Sequence, residues 1–214
     1  KKYFSSKKNS IAWQPYNISE RICNWIILIH SIKDIHNTEE LNEIIEEIYE
    51  HIKYLITHLE YPSSGIINNH VLNNARALYF GGLFFKDKEI INLAKEIMIS
   101  IQEKIFSKNG ILNESSTHYH FLITRSLLEI LTLAKSEKDD QEFIENLEEK
   151  ISYALDGCNF FLNNQKLNIN DMPKIGDISP DIPFNWFNPF IKNGWSQIWN
   201  FNITDIKYYK KNKA

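Results

Sequence analysis

The stretch LNEIIEEIYEHIKYLITHL, residues 41–59, decides the fold class. Its apolar residues recur every third or fourth position; they are Leu41, Ile44, Ile45, Ile48, Ile52, Leu55 and Leu59. Because an α-helix completes a turn in about 3.6 residues, this spacing places them on one side of a helix. Pro62 and Gly65 then interrupt the pattern. The stretch therefore predicts an amphipathic helix that buries one face.

The same helical spacing continues on both sides of this stretch, up to about residue 164. Residues that favour helix starts stand before each apolar run: Ser19 is expected to cap the first helix, Asp87 the fourth and Thr117 the fifth. The third helix is predicted from about Asn69. Short connections favour antiparallel neighbours. We therefore predict an all-α domain over residues 1–164.

Residues 165–214 have a different character. Four prolines interrupt any long helix there, namely Pro173, Pro180, Pro183 and Pro189. Trp186, Trp195 and Trp199 make this segment too aromatic for a disordered tail. We predict an irregular segment that packs on the helical domain or leads to a further domain.

Composition excludes several classes of protein. The net charge of −3 argues against a nucleic-acid-binding protein, which usually carries a basic face. No stretch reaches the run of about 18 apolar residues that a membrane span needs. Cys23 and Cys158 lie at apolar helical positions and are expected to be buried thiols. The charged start, residues 1–8, is not followed by the apolar segment of a signal peptide, so the compartment stays open.

The first candidate cluster is Asn68-Asn69-His70, at the start of the predicted third helix. Asparagine caps helices, which is one interpretation. The other is a binding position for a carboxylate, because a helix N-terminus exposes N–H groups and carries partial positive charge. Arg76, within the same helix, is either a salt-bridged structural arginine or a carboxylate clamp.

The second candidate cluster, residues 113–120, begins the fifth helix and contains Tyr119 between His118 and His120. One interpretation is a capped helix with Tyr119 in the interior and the histidines on the surface. The other is a tyrosine general base or acid with imidazole neighbours. A metal site is disfavoured, because residues two apart on a helix point in different directions. The remaining histidines, His51 among them, are expected on solvated faces.

Four segments, in this order, resemble heparinase II/III-type polysaccharide lyases and their alginate-lyase relatives. They are WQPYNISERICNW (13–25), NHVLNNARALYFGGLFF (69–85), ESSTHYH (114–120) and PKIGDISPD (173–181). The resemblance implies an incomplete α/α toroid of antiparallel helical hairpins. It also implies a β-sandwich domain that follows the toroid and supplies a further histidine. No segment of these 214 residues is assigned to that domain, so both a fragment and a stand-alone toroid are expectations.

The chemistry implied by the resemblance is β-elimination in an acidic, uronate-containing polysaccharide. The C5 proton of the uronate leaves and the glycosidic bond at C4 breaks, with no metal or organic cofactor. Asn69, assisted by His70, would neutralise the uronate carboxylate. Tyr119 would take the C5 proton, donate a proton to the leaving oxygen, or do both. Because tyrosine has a pKa of about 10, a base role needs a positive or hydrogen-bonding neighbour.

Three further residues are expected to contact the substrate; they are Arg76, Glu114 and His120. Arg76, His118 or His120 would supply the neighbour that Tyr119 needs. A periplasmic or secreted location is favoured by the resemblance alone.

Three alternatives stay open. A non-catalytic glycan-binding or scaffolding toroid would use aromatic side chains to stack on sugars. A helical-repeat interaction module would not cluster Asn69, His70 and Tyr119. A glycoside hydrolase on an α/α barrel needs two opposed carboxylates, whereas Glu114 is the one acid within the two clusters.

Overall fold

A computed structural model describes residues 10–32, 38–61, 69–162 and 173–178 of the chain. Within these ranges the chain forms a 3₁₀ turn, Ile11–Trp13, and six α-helices. The helices are α1 (Pro15–Ile32), α2 (Thr38–Thr57), α3 (Asn69–Phe85), α4 (Lys88–Ile105), α5 (Thr117–Ser136) and α6 (Gln141–Phe161). An isolated bridge between Phe106 and Leu112 is the one β-type pairing in these ranges, so the predicted all-α class is confirmed.

The stretch that predicted the fold forms most of α2. Ile48, Ile52 and Leu55 are fully buried, as the apolar stripe predicted. The helix ends at Thr57, two residues before the last leucine of the stripe. None of the helices in the described parts of the chain combines the length and the hydropathy that a membrane crossing requires. Both cysteines are buried thiols, as expected.

The helix starts follow local chemistry, with one correction. Asp87 caps α4 as predicted, since its Oδ1 accepts hydrogen bonds from the backbone N–H groups of Glu89 and Ile90. The predicted cap at Ser19 is wrong, because α1 begins at Pro15. Proline suits the first position of a helix, where its missing N–H costs nothing. Ser19 is instead buried inside α1 and donates to the carbonyl of Pro15.

The chain divides into two compact units. The described residues of the first unit are 10–32, 38–61 and 70–97, and there α1 packs against α2. The described residues of the second unit are 69, 98–162 and 173–178, and there α5 packs against α6. The division passes between Asn69 and His70 and within α4.

The predicted boundary between residues 164 and 165 lies outside the described residues, and so does residue 179 onward. The two predicted domains, 1–164 and 165–214, therefore stay predictions. Of the second domain, residues 173–178 are described. They form an exposed segment without helix or strand.

Candidate functional site

In the second unit, the start of α3 holds a carboxylate from the chain itself. Glu114, in the loop before α5, accepts a hydrogen bond from the backbone N–H of Asn69 at 2.5 Å. Its other oxygen accepts from Nδ2 of the Asn69 side chain at 3.1 Å. Asn69 is buried, and a negative charge at a helix N-terminus is favoured by the helix dipole. The helix start predicted to receive a carboxylate thus binds that of Glu114.

Glu114 also fixes which way the Asn69 amide points. With Nδ2 on the carboxylate, Oδ1 is buried and has no hydrogen-bond partner among the described residues. Rotating the amide by half a turn would put its oxygen against the negatively charged Glu114 oxygen, which is repulsive. The Nδ2 group carries two hydrogens, and the contact with Glu114 uses one of them.

The start of α5 is fastened to the segment 173–178. Ser116 caps the helix by accepting a hydrogen bond from the backbone N–H of Tyr119, and its hydroxyl donates to the carbonyl of Asp177. Thr117 donates its hydroxyl to the carbonyl of Pro173 at 2.8 Å and accepts from the backbone N–H of Ile175 at 3.2 Å. Ser116 therefore caps α5 in place of the predicted Thr117, which is the first residue of the helix.

Tyr119 is partly exposed and lies near negative charge. Burial raises the pKa of its phenol, and the charges of Asp177 and Glu114 raise it further. The phenol therefore holds its proton, and the tyrosinate that a general base would need is disfavoured. The interpretation that places Tyr119 in the interior is met in part, since the side chain is neither buried nor exposed.

The two histidines that flank Tyr119 are both fully buried, contrary to their expected place on the surface. His120 accepts at Nδ1 from the backbone N–H of Leu112 at 3.2 Å and donates from Nε2 to the carbonyl of Ala154 at 2.9 Å. Burial lowers the pKa of His120, which keeps the ring neutral. His120 therefore ties α5 to α6 and to the preceding loop, and it offers Tyr119 no positive charge.

In the first unit, His70 lies against a second carboxylate. Its Nδ1 is 3.1 Å from Oε1 of Glu60, which follows the end of α2. Asn74 holds Glu60 twice: its Oδ1 accepts from the Glu60 backbone N–H at 2.9 Å, and its Nδ2 donates to Oε2 at 3.2 Å. The buried amide of Asn74 thus holds Glu60, and Glu60 in turn contacts the imidazole of His70. Its side chain is 43% exposed, so the ring reaches solvent.

Arg76 occupies an interior position in the same unit and is 1% exposed. Its Nη1 donates to Oε1 of Glu20 and to Oδ1 of Asn73, both at 2.8 Å. This is the geometry of the salt-bridged structural interpretation. A clamp for a substrate carboxylate would need the guanidinium to reach solvent.

No sequence pattern indicated Glu60, which contacts His70, or Asn74, which binds Glu60. Glu60 stands outside every periodic pattern, and nothing in the sequence pairs it with a residue ten positions further along. Over the described ranges, no three His, Cys, Asp or Glu side chains are grouped so that they could hold a metal ion.

Comparisons with known proteins agree with this architecture. The family model for the heparinase II/III N-terminus matches residues 1–186. A crystal structure of heparinase III matches with a TM-score of 0.61 and 23% sequence identity. The match covers 76% of this chain and 25% of the heparinase III chain, so this chain spans about a quarter of the length of that protein. The likeness confirms the predicted fold class, the incomplete α/α toroid. No curated protein sequence matches.

Proposed function

This chain belongs to the heparinase II/III family, whose N-terminal model covers most of its length, and it is related to polysaccharide lyases; from that premise we propose that it is the helical part of a lyase. The proposed substrate is an acidic polysaccharide that contains a uronate, and the proposed reaction is β-elimination. The observation that carries the proposal is the carboxylate of Glu114 bound by two N–H groups at the start of α3.

Neutralising the uronate carboxylate is the first requirement of the reaction. The C5 proton is barely acidic while the neighbouring carboxylate is fully charged, so donors must stabilise the enolate-like intermediate. Asn69 has the right chemistry, because its amide already donates to a carboxylate and has a second N–H on the same nitrogen. We assign that second N–H to the substrate, with Glu114 beside the substrate and orienting the amide. His70, the next residue in the chain, assists.

Proton donation to the leaving oxygen is the second requirement. As the C5–H bond breaks, its electrons form the C4–C5 double bond and the C4–O bond breaks, so the oxygen needs a proton. Tyr119 supplies it in our proposal, since its raised pKa keeps the phenol protonated. The C5 proton passes either to solvent water acting as the base, or to Tyr119 in its ionised form, which then returns it to the leaving oxygen. The second route needs a positive group that stabilises the tyrosinate. His120, which is neutral and bound to main-chain atoms, is not that group.

Two of the expected substrate-binding residues receive framework roles in this proposal. His120 supports the start of α5, which carries Tyr119. Arg76 braces α3 against α1 through Glu20. Substrate contact is therefore assigned to Asn69, Glu114 and Tyr119 in the second unit and, separately, to His70 in the first.

The reaction can be followed directly, because β-elimination creates a C4–C5 double bond that absorbs ultraviolet light. We would incubate the chain with a panel of uronate polysaccharides and record the absorbance, comparing wild type, Tyr119→Phe and Tyr153→Phe. Tyr153 is the control, since it is an exposed tyrosine on α6 of the same unit. We expect a rise with wild type and Tyr153→Phe, and a rate at least about 100-fold lower with Tyr119→Phe.

Three other outcomes are informative. Equal rates for Tyr119→Phe and wild type would remove Tyr119 from the chemistry. Polysaccharide binding with no absorbance rise would favour the non-catalytic glycan-binding toroid. Neither binding nor a rise, on any uronate polysaccharide, would contradict the proposal for this chain.

A further inference from the structure

Glu60 provides a charged partner for the imidazole of His70. The 3.1 Å between Nδ1 of His70 and Oε1 of Glu60 is a hydrogen-bond distance. Since a carboxylate oxygen accepts, Nδ1 carries the proton and donates. The neutral ring in this contact is the Nδ1–H tautomer, and its other nitrogen, Nε2, is turned away from Glu60.

The carboxylate of Glu60 is itself held by a hydrogen-bonded side chain. Asn74 is fully buried and binds Glu60 through both its oxygen and its nitrogen. The same Nδ2 donates to Oγ of Ser19 at 3.0 Å, and Ser19 in turn is bonded to the backbone of α1. A chain of hydrogen bonds therefore runs from the interior of α1 through Asn74 to Glu60 and His70.

The ring of Tyr16 packs against the imidazole of His70. The ring of Tyr16 lies 4.8 Å from that of His70, centroid to centroid, with the planes tilted by 46°. The side chain of Glu60 is 24% exposed, less than the 43% of the histidine it supports. The imidazole is thus fixed at one nitrogen and along one face, while part of it reaches solvent.

We propose that Glu60 is the positioning residue of His70: its carboxylate, anchored by Asn74, sets the tautomer and the orientation of the ring, so that Nε2 is the nitrogen presented to a sugar. Resting on the proposed lyase function, the ligand presented to Nε2 is the uronate. In the neutral Nδ1–H ring Nε2 can only accept, so it takes a hydrogen bond from a sugar hydroxyl. When His70 is protonated, Glu60 stabilises the imidazolium and Nε2–H donates to the uronate carboxylate. Glu60 acts through His70 and does not touch the substrate.

The tautomer of His70 can be measured without any polysaccharide. In the ¹⁵N-labelled chain, the shifts of the two ring nitrogens show which one carries the proton, and His70→Gln identifies the signals. At about pH 8, above the ordinary titration of histidine, we expect the Nδ1–H form in wild type. In Glu60→Ala we expect the Nε2–H form, which free imidazole side chains prefer in water. Glu60→Gln should keep the Nδ1–H form, because its carbonyl oxygen can still accept.

Glu50→Gln is the matched control, since Glu50 is an exposed acid of the same unit that pairs with Lys53. It should leave the His70 signals unchanged. An Nε2–H tautomer in wild type would overturn the proposal without any variant, even if Glu60→Ala failed to fold. Persistence of the Nδ1–H form in a folded Glu60→Ala would overturn it as well.

Kinetics add a second readout where the chain turns over a polysaccharide. Glu60→Ala should raise KM by about tenfold or more, the effect of one charge-assisted hydrogen bond, with a smaller change in kcat. An unchanged KM would contradict the proposal. Failure of the lyase proposal would leave the tautomer measurement intact, so the two can be judged separately.

Discussion

The starts of α3 and α5 carry the candidate site residues, and they are held in different ways. At the start of α3 the partners are side-chain carboxylates: Glu114 binds Asn69, and Glu60 binds His70. At the start of α5 the partners are main-chain atoms, as for His120, whose two ring nitrogens are bonded to a backbone N–H and a backbone carbonyl.

This difference separates a binding position from a framework. A carboxylate can share its N–H donors with a second anion, whereas a main-chain carbonyl is held in place by the backbone. In the proposed function, the start of α5 is therefore a fixed support that presents Tyr119, and the start of α3 recognises the acidic substrate.

Replacing each histidine by leucine should give the largest contrast. His120→Leu leaves the backbone N–H of Leu112 buried without its partner and removes the second hydrogen bond of the Ala154 carbonyl, which lies inside α6. These two losses should lower the free energy of unfolding by about 1.5–4.5 kcal/mol. His70→Leu changes a half-exposed ring and should cost less than about 1 kcal/mol. Urea unfolding of both variants measures this. Similar losses would break the distinction between the two helix starts.

His51 extends the comparison to a third environment and gives a pH dependence. It is fully buried beside Trp13, against the expectation of a solvated face; its Nδ1–H donates to the Glu47 carbonyl and its Nε2 accepts from Arg21. Burial, and then the charge of Arg21, lowers its pKa from 6.5 to about 4.

The direction of this pH dependence follows from the protons bound at His51 in the folded and unfolded chain. Between these two pKa values the unfolded chain binds a proton at His51 and the folded chain does not. The stabilisation is therefore complete above pH 6.5 and is lost as the pH falls towards about 4. We expect a loss on the order of 3 kcal/mol, measured by urea unfolding at a series of pH values. His51→Phe should show a flatter profile, and an equally steep one would assign the loss to other groups.

Gly157 tests how closely α6 must approach His120. A Cβ added at this position would lie 2.6 Å from Nε2 of His120, so one of the two must move. Gly157→Ala should therefore cost about 1–3 kcal/mol in unfolding free energy. Asp156→Ala, at the exposed neighbouring position, should stay within about 0.5 kcal/mol of wild type. Equal stability of the two variants would show that the approach is not tight.

Glu114→Gln should have the smallest effect on stability and a specific effect on Tyr119. The glutamine oxygen can still accept from the backbone of Asn69, so we expect a loss of about 0.5–1.5 kcal/mol. Removing the charge of Glu114 should lower the pKa of Tyr119, because that charge contributes to raising it. Titration of ¹³C-labelled tyrosine rings would follow this, with Glu149→Gln as the control. An unchanged Tyr119 pKa would show that the two groups do not interact.

The helices could be predicted because their signal is local. Apolar spacing predicted α2, and the polar cluster at Asn69 predicted the first residue of α3. The Ser19 cap failed where two local signals competed: Pro15 suits a helix start, and a serine inside a helix can donate to a carbonyl four residues earlier.

The surroundings of the site could not be predicted, because its partners are distant in the sequence. His120 is buried because Ala154, thirty-four positions away, supplies an acceptor. Glu114 binds Asn69 across forty-five positions. Residue types mark Asn69, His70 and Tyr119 as candidates, but their roles stay predictions until the reaction is tested.

The link between the start of α5 and residues 173–178 also bears on the order of folding. Ser116 and Asp177 are bonded although sixty-one positions apart, and all of α6 lies between them. Contacts within a helix form within about a microsecond, whereas closing a long loop is slower and gains little until its ends meet. We therefore expect the backbone N–H of Ile175, which donates to Thr117, to become protected from hydrogen exchange after α5 and α6 have paired. The turn that carries Tyr119 would then be among the last parts of this unit to reach its native form.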